Sequence, residues 1–223
     1  MPLPNLTIVG SAMETSAITL HPAIAPEDQA RAEFYALLAR LFADAPDASL
    51  LAAIAAAPAL EPARRSDQPA AGLAPTWDAV RAASAAADPE AVRDEFQTLF
   101  VGVGRSEVSL YASHYLGPQS GRPLAELRAT LARLGLARRP ESNEFEDHLS
   151  LVLETMRMLV TGDGERDPAR LEEQRAFLDR HILPWVQDCC NAISMNSVAN
   201  YYRRVAEFAQ CFVALERDSF ATE

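Results

Sequence analysis

Lysine is absent from this 223-residue chain, so apart from four histidines every cationic side chain is an arginine. The 20 basic residues are outnumbered by 31 acids, and the formal net charge is -11. A nucleic-acid binder needs a basic stripe along the phosphates, whereas the pairs Arg64-Arg65, Arg138-Arg139 and Arg203-Arg204 are scattered among acids. DNA and RNA are therefore excluded as expected partners. An acidic surface suits a basic partner instead, and an arginine-bearing peptide is the natural case. A codon preference for arginine and alanine would remove lysine equally well without functional meaning.

Cysteine is scarce too. Cys189, Cys190 and Cys211 are odd in number and lack C-x-x-C spacing, and sequence neighbours rarely bridge because the geometry is strained. They read as core thiols in a reducing compartment. Residues 1–20 hold no Lys or Arg, so a secretory n-region is missing, and the apolar patch Leu6 to Val9 is too short for a bilayer. The expectation is cytoplasmic residence with no stable membrane insertion.

The usual catalytic signatures are missing as well. There is no Gly-x-Gly-x-x-Gly, no phosphate-loop Gly-Lys-Ser/Thr, no His-Glu-x-x-His and no Gly-x-Ser-x-Gly. Ser113 beside His114 is adjacency, not triad geometry. His148 beside Asp147 makes a general base conceivable, but a histidine held by its neighbouring carboxylate is the plainer reading. No catalytic residue, metal ligand or cofactor is assigned, and no phosphate-binding motif supports a nucleotide.

What is present is helical periodicity, with no convincing strand alternation. Pro26-Glu27-Asp28 has the proline and acids of a helix start, followed by Phe34, Leu37, Leu38, Leu41 and Phe42 at steps of three and four. Asp44-Ala45-Pro46-Asp47 ends that helix and caps a shorter one carrying Leu50, Leu51 and Ile54. The stretch from Pro58 to Pro75 reads as a surface loop. Further helices are expected over Trp77 to Ala86, Pro89 to Phe100, Leu124 to Leu136, Phe145 to Val160, Pro168 to Arg180 and from about Val198 onward. The helix from Phe145 buries Phe145, Leu149, Val152, Met156 and Leu159. Period is lost from Val101 to Pro123, a long loop of the kind that carries function, and His181 to Trp185 is a bend around Pro184. The fold class is all-α: one globular domain over 26–218 with eight to ten helices, a mobile N-terminal arm over 1–25 (within which Leu6 to Val9 could pair as a strand) and a C-terminal tail over 219–223.

The run Glu144-Phe145-Glu146-Asp147-His148 is the most concentrated chemistry in the chain. On a helix, Glu144 would share one face with Asp147 and His148, three and four residues on. Three readings stay open: a helix cap, a metal site, or a recognition surface. The metal reading lacks partners, because His21, His114 and His181 stand without a second spaced acid.

These residues carry a resemblance. From about Asp28 to Phe212 the chain resembles the TorD/DmsD family, grouped with NarJ, of cytoplasmic molybdoenzyme chaperones. Glu144-x-x-Asp147-His148 is similar to the family's Glu-Pro-x-Asp-His signature, with Phe145 in place of proline. Tyr35-Ala-Leu-Leu38-Ala-Arg-Leu41-Phe42 resembles the first-helix Tyr-x-x-Leu-x-x-Leu-Phe, and Tyr111-Ala112-Ser113-His114-Tyr115 resembles the Tyr-x-Ser-x-Tyr loop, with Leu110 where proline often precedes. His181-Ile182-Leu183-Pro184-Trp185 is a further likeness. The resemblance implies a chaperone, not an enzyme, that binds the apo-form of a molybdoenzyme catalytic subunit and its twin-arginine leader until molybdopterin guanine dinucleotide is inserted. Glu144 and Asp147 would meet the guanidinium groups, and His148 a polar or aromatic group. Tyr111, Ser113 and Tyr115 would form the groove wall, with Tyr35 and Trp77 placing polar edges at its rim. Leu38 and Phe42 are expected in the core. A monomer is expected, with a domain-swapped dimer the alternative. The alternative function is a helical metal-binding or regulatory protein using Glu144, Asp147 and His148.

Overall fold

A computed structural model describes residues 6–8, 24–61, 72–102, 106–117, 121–138, 144–163 and 166–221. The described residues are helical almost throughout, in ten α-helices, as the periodicity predicts. The expected N-terminal arm lies outside them except for residues 24–25 and the strand β1 (Leu6–Ile8). Most of the loop expected between Pro58 and Pro75 also lies outside. The chain falls into two compact units, one of residues 1–40 and 111–182, the other of 41–110 and 183–223.

In the first unit, which holds residues 26–40 of α1 (Pro26–Ala43), that helix starts where proline and acids predict, with Asp28 paired to Arg31 at 2.7 Å. Its Ala32, Tyr35, Leu38 and Ala39 are buried at helical spacing. After α6 (Arg122–Arg133), Gly135 takes φ +61, which favours glycine, and the chain turns extended into β2 (Leu136–Arg138). The helix expected to reach Leu136 therefore stops three residues earlier. β1 pairs antiparallel with β2, with Leu6 opposite Arg138 and Ile8 opposite Leu136. α7 (Leu149–Thr161) is buried on nearly every side, including Ser150, Glu154 and Thr155, so it is a central helix and not one with a single buried stripe. Its polar groups are satisfied locally: Glu154 takes both ends of the Arg157 guanidinium at 2.8 and 2.9 Å, and the Thr155 hydroxyl donates to the Leu151 carbonyl. α8 (Leu171–Phe177) begins three residues after Pro168 and runs into a π-helical turn, Leu178–Ile182, so the bend expected over His181 to Trp185 is confined to the turn at residues 183–185.

In the second unit, the Asp47 side chain caps α2 (Ala48–Ala56), accepting from the Leu50 N–H at 2.7 Å. α3 (Leu73–Ala86) starts one turn before the expected Trp77. Pro75 does not prevent this, because a first-turn N–H has no intrahelical acceptor to lose. α4 (Pro89–Phe96) continues as a π-helical turn to Val101, and α9 (Val186–Met195) fills the stretch after the Pro184 bend. α10 (Tyr201–Ala221) packs against α3, α4 and α9 and absorbs the first residues of the expected tail. Its start is set by Glu95 on α4. One buried carboxylate accepts the N–H groups of Asn200, Tyr201 and Tyr202 at 2.9, 3.0 and 2.8 Å. Phe42, Phe96, Phe100 and Tyr202 form an aromatic cluster, and the Tyr202 hydroxyl donates to the Leu41 carbonyl at 3.0 Å. Cys189 and Cys190 are fully buried and Cys211 half-buried, all as free thiols.

Candidate functional site

Helical spacing does not assemble the Glu144 to His148 cluster. α7 begins only at Leu149, and residues 144–148 form a non-helical approach to it. His148 is the N-cap: its Nδ1 accepts from the Ser150 N–H at 3.3 Å and lies 2.7 Å from the Ser150 hydroxyl. A ring nitrogen that accepts a backbone N–H carries no proton, so the ring proton sits on Nε2. Burial pushes His148 below the usual histidine range, against the opposing pull of Glu144 and Asp147. The cap is thus a neutral imidazole and not the carboxylate that a first-turn reading favours.

What gathers the cluster is a second segment. Tyr111 bridges His148 in antiparallel fashion, and Ala112 donates its N–H to the Asp147 carbonyl at 3.0 Å. The Asp147 carboxylate accepts the Ser113 N–H at 2.9 Å, at the start of the short helix α5 (Ala112–Tyr115). Asp147, 2% exposed, is therefore consumed in fastening the two segments together. The Tyr111 ring stands edge-on to His148, centroids 5.0 Å apart, and its hydroxyl donates to Glu144. Burial, reinforced by Glu144, lifts the Tyr111 hydroxyl well above the ordinary tyrosine range, so it stays a donor.

Around this node lie groups to which the sequence patterns assigned no role at the site. Glu146 receives Arg128 at 2.9 Å and has Arg138 at 3.9 Å. Burial alone would lift its carboxyl, but the Arg128 hydrogen bond and both guanidinium charges hold it below the usual range. A cavity of about 290 Å³ adjoins the node, lined by Ala112, Leu116, Leu127 and Asp147 together with the charged or titratable Arg122, Glu126, Arg180 and His181. His181 lies 2.9 Å from the Thr130 hydroxyl, and burial together with Arg180 brings it down to about 4. Only the His148-x-Ser150 pair has a local signal, a polar residue two ahead of a helical N–H; Arg128 and Thr130 come from α6, with nothing nearby in sequence to announce them.

The structure brings together Glu144, Asp147, His148, Tyr111 and Ser113. Tyr115 is half-buried with its ring against His114, centroids 4.9 Å apart. Tyr35 is 0% exposed and Trp77 5%, with the Trp77 indole N–H donated to the Pro58 carbonyl at 2.9 Å. Both belong to cores and not to a groove rim, because their own helices bury the face on which they stand. Phe145 departs the other way: it is 55% exposed and packs into no core. Among the described residues, no group of three or more His, Cys, Asp or Glu side chains could hold a metal ion. No described helix is long and apolar enough to cross a membrane.

Comparison with known proteins fits this picture. The chain matches the family described as nitrate reductase delta subunit over residues 64–191, more than half its length and inclusive of the whole node. The chain belongs to that family. Its relatives include the TorD chaperones. It is 26% identical over 131 residues to the chaperone protein TorD of Photobacterium profundum, covering 55% of this chain and 60% of that one. It is 30% identical over 98 residues to TorD of a Psychrobacter species, 41% and 44% of the two chains. A perchlorate reductase assembly chaperone of Dechloromonas aromatica is 26% identical over 132 residues, 54% and 59%. The match thus spans about 60% or less of each of these relatives. These relatives of the delta subunit family member are named as chaperones and not as catalysts.

Proposed function

We propose that this protein is a maturation chaperone that binds the immature catalytic subunit of a molybdenum oxidoreductase in the cytoplasm, holding it until its molybdopterin cofactor is inserted. The observation that carries this reading is the family match across 64–191, whose relatives bear chaperone names, one of them for a reductase. The site supports it through the division of labour among its residues. The Asp147 side chain is spent on fastening 111–115 to the start of α7 and the His148 side chain on capping that helix, so they position the surface and do not meet the client. Glu144 is the half-buried carboxylate of the pair, held by the Tyr111 hydroxyl. A carboxylate offers about four lone-pair directions, so a guanidinium can join the tyrosine there. The client's paired-arginine leader would supply that guanidinium, in keeping with the net charge of -11.

Affinity capture of the tagged protein from cells expressing molybdoenzymes, followed by mass spectrometry, tests this. Recovery of one molybdoenzyme catalytic subunit is expected, and Glu144→Gln, which keeps an acceptor for Tyr111 but removes the charge, should reduce it. Capture that brings down no oxidoreductase overturns the proposal.

A further inference from the structure

The smallest element of the first unit is also the one held least. β1 pairs antiparallel with β2 through Leu6 and Arg138, Thr7 and Ala137, and Ile8 and Leu136, and it packs on no other element to a comparable extent. Among the described residues these two strands are the whole sheet. A two-stranded sheet is marginal even at ordinary strand length, and each strand here has only 3 residues.

β2 is held by other means. Just ahead of it the Arg166 guanidinium donates to the Leu134 and Gly135 carbonyls, the latter at 2.8 Å, and so clamps the chain where it turns extended. The Leu136 side chain is buried, β2 packs on α6, and Arg138 reaches Glu146 at 3.9 Å. None of these contacts involves β1. The edge that β1 covers is therefore preformed, with its backbone N–H and C=O groups set out for a strand.

We propose that this edge of β2 docks an extended segment of the client as an added antiparallel strand, and that β1 occupies the edge in the free chaperone and gives way to it. The proposal rests on the client-binding reading above and names how part of that client is held. Leu6–Ile8 is the template for the occupant: an extended run containing β-branched residues, paired through its main chain. Glu146, to which Arg138 reaches, stands two positions from Glu144, so the edge continues from the proposed guanidinium contact. The client strand replaces β1 and does not add outside it, because a strand added there would rest on the weakly held β1 and not on the clamped β2.

The test uses the isotope-labelled full chain and a synthetic peptide of residues 4–10, Pro-Asn-Leu-Thr-Ile-Val-Gly, titrated to millimolar concentration while the amide signals of Leu136, Ala137 and Arg138 are followed by NMR. Thr7→Pro/Ile8→Pro takes a donor from each edge of β1, since successive N–H groups point to opposite sides, and so frees β2. The peptide should shift those signals and bind this variant about tenfold more tightly than wild type, where it competes with β1; tenfold is the scale of three cross-strand pairs. The same two prolines in the peptide should abolish binding. Because β1 packs on little besides β2, the variant should keep the wild-type helical circular dichroism. Equal affinity for both proteins, binding to wild type alone, or no shift at residues 136–138 overturns the inference. Affinity capture then reads the client: the proline variant should recover more oxidoreductase than wild type. Equal recovery from both overturns the inference and leaves the client-binding reading standing, whereas empty capture from both overturns the two together.

Discussion

Asp147 is the residue on which the structure departs most from a surface-recognition role, and replacing it tests that departure. Its carboxylate accepts the Ser113 N–H at 2.9 Å while its own carbonyl accepts the Ala112 N–H at 3.0 Å, so backbone and side chain both fasten the 111–115 segment. Asp147→Ala leaves the backbone bond and removes the side-chain one. A hydrogen bond to a charged group contributes roughly 1.5–3 kcal/mol, and relief of the buried charge offsets part of the loss, so about 2 kcal/mol is expected. That energy belongs to local opening of the 111–115 segment. Native-state amide exchange reads it directly: Ser113 should exchange ~30-fold faster, since each factor of ten is about 1.4 kcal/mol. Asp147→Asn keeps an acceptor and should lose less than about 1 kcal/mol. Both variants should keep their helical circular dichroism, because α7 is capped by His148 and not by Asp147. An unchanged Ser113 exchange rate in Asp147→Ala would refute the fastening argument and return Asp147 to the list of direct client contacts.

Other consequences can be measured in parallel. Glu95→Ala strips three N–H groups at the start of α10 of their acceptor, two of them on the buried residues Tyr201 and Tyr202; a loss of about 3 kcal/mol in urea unfolding is expected, and a loss below ~1 kcal/mol would show that water replaces the carboxylate without cost. His181 is a base whose folded value, about 4, lies below its unfolded one, so its contribution is complete above roughly pH 6.5 and lost as pH falls toward 4. Unfolding free energy followed from pH 7 to 4 should fall ~3 kcal/mol further in wild type than in His181→Gln, and parallel curves would contradict it. Gly162→Ala adds a Cβ at φ +70 that runs into the Arg166 carbonyl; destabilisation of at least about 2 kcal/mol is expected by thermal denaturation, and an unshifted midpoint would mean that the 162–166 turn yields easily.

Much of the architecture is legible in local pattern because helices are made by neighbours. Proline and acids at 26–28, Asp47 ahead of α2, and apolar steps of three and four place α1, α2, α4, α6 and α10 to within a few residues, since capping and amphipathic burial act over one to four positions. The burial of Leu38 and Phe42 follows from the same spacing. The residue types of the site are legible too, in the order Tyr111, Ser113, Glu144, Asp147, His148. Their roles are not, for roles depend on partners distant in sequence. Tyr111 and Glu144 are 33 positions apart, Arg128 and Glu146 18 apart, and Glu95 reaches 107 positions to Tyr202. Helical spacing predicted that Glu144 and His148 share a helix face; an extended pairing with Tyr111 holds them off the helix altogether. Tyr35 and Phe145 exchanged their expected places for the same reason. Burial of a given aromatic is decided by what the rest of the chain lays against it, so composition and period determined the helical class and the chemistry available, while tertiary packing alone decided which acids fasten the fold and which stay nearer the surface.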